Sequence, residues 1–204
     1  MPLQNRVTPF GDLIATPARG LLFGNRGGRF HDPATQRLGR RRWASRQWII
    51  CVLAFKNRHR SVWGRGYTEL FFLDEVTALA AGHRPCFECR RADALAFAEA
   101  VAAGAGLASR PSAPDMDRRL HAERLEGRGQ RRHPAMIEDL PDGTVIAIGD
   151  EALAVRGDAL LPWRADGYGP PRKRPLGERV AVLTPPTAVT ALAAGYRPRW
   201  HRGS

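Results

Sequence analysis

The chain has 204 residues, 43% of them hydrophobic and 25% charged, with 32 lysines and arginines against 20 acids. That is enough apolar material for a real core, in one domain or two small ones, and it excludes a disordered chain. No apolar run is long enough to span a bilayer and no signal-peptide pattern follows Met1, so a soluble, cytoplasmic protein with no membrane partner is expected. The net charge of +12 is uneven: residues 1–66 hold thirteen bases against only Asp12 and Asp32, and the rest of the chain is nearly balanced. An excess of that kind attracts a polyanion and points to nucleic acid as the partner.

Residues 1–46 are rich in Gly, Pro and Arg. Gly24-Asn25-Arg26-Gly27-Gly28-Arg29 reads as a turn-rich loop whose backbone N–H groups and arginines suit a phosphate. It lacks the Gly-Lys-Ser/Thr of a nucleotide-binding P-loop. His31 follows as a candidate metal ligand. Arg40-Arg41-Arg42-Trp43 then sets guanidinium groups beside an indole, and both can stack on bases. Trp48 to Phe55 is an unbroken apolar run of strand length, with Cys51 either a small core residue or a ligand. Asn57-Arg58-His59-Arg60 reads as a basic hairpin turn, followed by Arg65 and a returning strand from Tyr67 to Leu73.

The organising stretch is Asp74 to Arg90. Asp74 can cap a short Ala-rich helix, Gly82 can end it in the left-handed conformation, and Pro85 prevents its resumption. The turn then presents Cys86-Phe87-Glu88-Cys89 as a knuckle of two thiols, the ligands that zinc (Zn2+) favours. A thioredoxin-type redox pair is the other reading of Cys-x-x-Cys, but that type opens a helix after a strand, whereas here a helix and Pro85 precede the pair. Two sulfurs do not close a tetrahedral site. Cys51 and His31 are the leading further ligands, with His59, His83 and His121 as others.

Phe71 to Arg90 resembles the second half of the zinc-binding domain of the Ada DNA-repair protein. That family has an aromatic strand end, a short Ala-rich helix, and Gly-aromatic-Arg-Pro-Cys-x-x-Cys-Arg, with His83 here in the aromatic's place. The resemblance implies a zinc-containing DNA-binding protein of DNA repair, with its other ligands upstream, where Cys51 stands. The family's methyl-accepting thiolate belongs to that upstream pair and is not carried onto this chain.

Beyond the knuckle, Arg91 to Ala103 reads as a helix and residues 108–114 as a linker. Residues 115–133 are polar and helix-like, and in 115–126 Asp117 and His121 share a face with Glu123 nearby. These three are the candidate catalytic residues if the protein is instead a metal-dependent nuclease or base-removing enzyme. Thr144–Ile148 and Glu151–Arg156 flank Gly149-Asp150 as a hairpin, and 159–163 and 179–183 read as further strands. The loop 166–175 carries Arg172 and Lys173 as candidate phosphate contacts.

Thr77-Ala-Leu-Ala-Ala-Gly-His83-Arg84-Pro85 recurs as Thr190-Ala-Leu-Ala-Ala-Gly-Tyr196-Arg197-Pro198. Thr184 is the expected cap of the second helix. The fold expected is α+β: a zinc-knuckle-like ββαα unit over 1–107, a polar arm over 108–134, and a small antiparallel sheet or open barrel with a C-terminal helix over 135–204. Phosphate contacts are expected from Arg26, Arg29, Arg40, Arg41, Arg42, Arg58, Arg60, Arg65, Arg172 and Lys173.

Overall fold

The computed structural model describes residues 1–59 and 61–201, and Arg60, one of the expected phosphate contacts, lies outside them. The fold is mixed α+β, with two large sheets, two two-stranded sheets and four α-helices among the described residues.

The first sheet is built from β1 (Arg6–Val7), β2 (Leu13–Ile14) and β3 (Leu22–Arg26). A two-stranded excursion follows, β4 (His31–Asp32) with β5 (Arg37–Leu38). Next come β6 (Trp48–Val52) and β7 (Leu70–Phe72), then the helix α1 (Glu75–Ala80) and the edge strand β8 (Arg84–Pro85). The strand order is β2-β1-β7-β3-β6-β8. The expected hairpin of Trp48–Phe55 with Tyr67–Leu73 is therefore not formed. The strand β3 sits between them, pairing antiparallel with both, in the register Phe23 opposite Cys51 and Phe71. The sequence there resembles a loop because of Gly24. The glycine is required by packing, since a Cβ at this position would lie 2.0 Å from the Ile49 carbonyl oxygen.

After α2 (Arg91–Gly104) and α3 (Ala113–Arg124), β9 (Leu125–Glu126) pairs with β10 (Gly129–Gln130). The helix α3 begins earlier than expected because Ser112 and Asp115 form a reciprocal capping box inside the presumed linker. The second sheet is antiparallel. It comprises β11 (His133–Met136), β12 (Val145–Ile148), β13 (Glu151–Arg156), β14 (Ala159–Arg164), β15 (Gly167–Tyr168), β16 (Arg172–Lys173) and β17 (Arg179–Val182). Its order is β11-β17-β12-β13-β14-β15, with β16 also on β14. The Gly149-Asp150 hairpin forms as expected.

The last helix, α4 (Pro186–Ala193), does not stay with the second sheet alone. Ala188, Ala191 and Leu192 share one core with Phe97 and Val101 of α2, Met116 of α3, and Leu22, Ile50 and Phe72 of the first sheet. Thr184 is not its cap, because its hydroxyl accepts from the Val145 N–H. Glu123 of α3 supplies the cap instead, accepting from the Thr187 N–H at 2.9 Å and the Thr187 hydroxyl at 2.6 Å.

The helix α1 lies between the two sheets, with all six of its residues buried. Ala78 and Leu79 face the first core, while Val76 and Ala80 face Val145, Ala154 and Leu161 of the second sheet. A helix buried on every side must satisfy its polar groups internally. The Asp74 carboxylate accepts from the Thr77 N–H, as the sequence predicts, and also from the Tyr168 hydroxyl and the His201 N–H. Glu75 accepts from Arg90, Tyr196 and the Arg199 N–H.

Candidate metal centre and basic cleft

The knuckle is placed by its backbone. Gly82 takes φ +79°, and a Cβ there would collide with the Arg124 side chain at 2.5 Å. The chain then runs as β8 parallel to β6, and the Cys86 N–H donates to the Ile50 carbonyl at 2.9 Å. Each end is held by a buried ion pair. Arg84 makes a two-pronged contact with Asp117 of α3, both bonds 2.8 Å. Arg90 reaches Glu75 of α1 at 2.8 Å.

These constraints bring the sulfurs of Cys51, Cys86 and Cys89 to within 4.8 Å of one another. Period-2 alternation along β6 explains the meeting: Trp48 and Ile50 point to one sheet face, Ile49 and Cys51 to the other. There Cys51 joins Cys86, Cys89, Phe23, Tyr67 and Phe71. Hydrogen bonds from the Cys51 and Cys89 thiols hold Cys86 well below the usual thiol range, and the same bonding pushes Cys51 up. Cys86 also accepts from the Glu88 N–H. The trio thus shares one negative charge readily, and further thiolates need a cation.

A metal fits this donor set. Thiolates bound tetrahedrally at about 2.3 Å from zinc lie ~3.8 Å apart, which falls within the 4.8 Å that bounds the three sulfurs. Among the described residues no fourth His, Cys, Asp or Glu joins the three. His31 is a correction to the expected ligand set. Its ring nitrogens bond the Thr68 hydroxyl at 2.8 Å and the Gly64 carbonyl at 2.9 Å, and the ring stacks on Trp63. His83 is buried elsewhere, against Trp48 and Phe72, and His59 is exposed.

The three candidate catalytic residues are also separated by their contacts. Asp117 is occupied by Arg84 and Glu123 caps α4. His121 lies beside Arg124 at 3.0 Å, and burial and that guanidinium lower its pKa. Asp117 and Glu123 are thus held by partners the fold requires, which removes the free carboxylates that acid–base work needs.

The expected phosphate contacts divide into three kinds. Arg29, Arg40, Arg41, Arg42 and Arg65 are exposed. Arg58 and Arg172 are exposed but paired, with Glu88 and Glu151. Lys173 is exposed beside Arg172. Arg26 is a correction: it is only 2% exposed, inside the sheet rather than on a loop. Its guanidinium lies 4.1 Å from the centre of a Trp48 ring, and that of Arg124, a residue the sequence did not single out, lies 3.8 Å away. The signal for Arg124 was available only as an arginine in the last turn of a helix, which is common and points to nothing.

Arg40, Arg42, Trp43 and Arg128 surround the mouth of a cleft floored by Arg26, Arg124 and Trp48. Arg41 continues the basic rim. Loop 40–43 and the β9–β10 turn, far apart in sequence, thus present one surface. No helix among the described residues is long and apolar enough to cross a membrane. No protein family, characterised protein or solved structure is matched by this chain.

Proposed function

We propose that this chain is a zinc-containing DNA-binding protein of DNA repair that grips phosphates with the arginines around Trp43. The observation that carries the reading is the gathering of Arg40, Arg41, Arg42 and Arg128 about one half-buried indole, on an exposed surface. Such a surface neutralises backbone phosphates and releases their counterions, while an aromatic face serves an unpaired base. The assignment to repair rests on the resemblance of Phe71–Arg90 to the Ada zinc-binding domain, which the convergence of Cys51 on Cys86 and Cys89 supports.

Zinc bound by the three cysteines would supply a structural cross-link. Cys51 would tie the strand β6 to the knuckle, and the knuckle to the start of α2. The sulfurs lie on the sheet face opposite Trp48, so the metal's part would be to hold β6, which carries Trp48 of the cleft floor, to the knuckle that follows β8.

The test is the salt dependence of duplex and single-strand affinity. Changing Arg40, Arg41 and Arg42 together to Ala should lower the slope of log affinity against log salt by about 2 to 3. Folding should be unaffected, since all three are exposed. An unchanged slope would show that they do not touch phosphate. Elemental analysis of the purified chain should give about one zinc per molecule.

A further inference from the structure

Five arginines are almost fully buried among the described residues; Arg6 lines a separate pocket, and the other four are treated differently. Arg84 and Arg90 each meet a carboxylate. Among the described residues Arg26 and Arg124 meet none. Arg26 donates to the carbonyls of Gly11 and Arg42 and approaches His83 Nε2. Arg124 donates to the carbonyls of Gly82 and Arg46 and lies against His121 Nδ1. Three contacts on each leave two of the five guanidinium N–H groups free, and Arg124 Nε is buried with no partner at all. Carbonyls satisfy hydrogen bonds; they do not neutralise charge.

The surroundings add to the imbalance. Burial, chiefly, pushes Arg124 down to about 8 and Arg26 down to about 9; neighbouring arginines act in the same direction, and Asp117 and Asp12 offset this only in part. The cleft above them has a volume of about 260 Å3 and is lined by five guanidinium groups against one carboxylate, Asp12. Trp43 provides an aromatic wall beside the opening. A protein that buries two positive charges with no carboxylate paired to either, at the floor of a cleft lined by five guanidinium groups, is arranged for an anion from outside.

We infer that this cleft is a binding site for a phosphate-bearing, nucleotide-sized ligand, with the phosphate against the Arg26–Arg124 pair and the base toward Trp43. Arg42 and Arg128 at the mouth contribute further charge. A free nucleotide and the phosphorylated end of a strand share this chemistry. The inference deepens the phosphate-gripping reading but stands on the recessed pair rather than on the exposed rim.

The experiment is calorimetric titration and thermal denaturation of the full chain with AMP, adenosine, and a short single strand with or without a 5′-phosphate. AMP should bind saturably and raise the melting temperature, as any ligand selective for the folded state does. Adenosine should do neither. Arg128→Ala, at an exposed position that leaves the floor intact, should weaken AMP about threefold. Arg124→Met should abolish its binding. Tighter binding of the 5′-phosphorylated strand than of AMP would assign the site to strand ends, and the reverse order to free nucleotides. The inference is overturned if AMP gives no heat and no stabilisation at about 5 mM, or if adenosine matches it. An AMP effect indifferent to Arg128→Ala would overturn it as well. Duplex binding lost with AMP binding intact would sink the exposed-rim reading alone; the converse would sink this one alone.

Discussion

The two faces of the first sheet pose opposite electrostatic problems on the same strands. On one face β6 presents Cys51 to Cys86 and Cys89, a cluster that stabilises negative charge and asks for a cation. On the other it presents Trp48 to Arg26 and Arg124, a cluster of positive charge that makes no ion pair with a carboxylate among the described residues. Two other buried arginines are neutralised internally, at Arg84–Asp117 and Arg90–Glu75, whereas among the described residues Arg6 of β1 meets only the Ala18 carbonyl. The difference teaches where a ligand from outside would relieve the imbalance: a metal that the three cysteines could hold on the sulfur face, and the proposed anion on the guanidinium face.

The comparison breaks most visibly on the sulfur face. Cys86→Ser should remove bound metal and produce the largest loss of thermal stability of any change considered, because metal binding free energy at such a site is folding free energy. A chelator should lower the melting temperature of the unaltered chain and leave Cys86→Ser unmoved. Equal sensitivity in both would mean that the cysteines do not hold the metal.

The next contrast lies between paired and unpaired buried arginines. Arg84→Met orphans the buried Asp117 carboxylate and should cost about 3 to 5 kcal/mol in denaturant unfolding. Arg124→Met orphans no carboxylate and relieves repulsion on Arg26, so its loss should be clearly smaller. If Arg124→Met is the more damaging, Arg124 serves as a carbonyl clamp and the charge argument for the cleft fails.

A pH effect should sharpen the same point. Burial first, then Arg26 and Arg124, hold the His83 imidazole well below its ordinary range. A depressed folded-state value means that the unfolded chain takes up the proton first. The contribution of His83 is therefore present at neutral pH and lost as pH falls through about 6.5. Unfolding midpoints should drop between about pH 7 and about pH 5, and less steeply in His83→Phe. His121 and His133, also lowered, act in the same direction and remain in that variant.

The smallest effect belongs to a residue that the enzyme reading would make essential. Glu123→Ala removes the cap of α4 and should destabilise by about 1 kcal/mol in urea, with duplex affinity unchanged.

The repeated Thr-Ala-Leu-Ala-Ala-Gly-x-Arg-Pro segments show how far local pattern reaches. Both copies form a short helix as expected. In the first the cap is the chain's own Asp74 and Arg84 is buried on Asp117; in the second the cap comes from Glu123 and Arg197 is exposed. The two arginines of the repeat are not equivalent, because α3 offers a carboxylate to only one of them.

What the amino-acid order settled unaided was local. Asp74 and Gly82 bound α1 through one cap bond and one positive φ, Gly149-Asp150 turns the β12–β13 hairpin, and the Cys86–Cys89 spacing makes a knuckle. Each depends on groups within a few residues of one another, where chain connectivity already limits the geometry. Tertiary structure alone decided which strand lies beside which, that Cys51 rather than His31 completes the sulfur cluster, and that Arg26 and Arg124 meet over Trp48. It also assigned Asp117 and Glu123 to holding the fold. The reason is physical: the partner of a buried charge is whatever the packing brings to it, and packing joins residues that the chain keeps far apart.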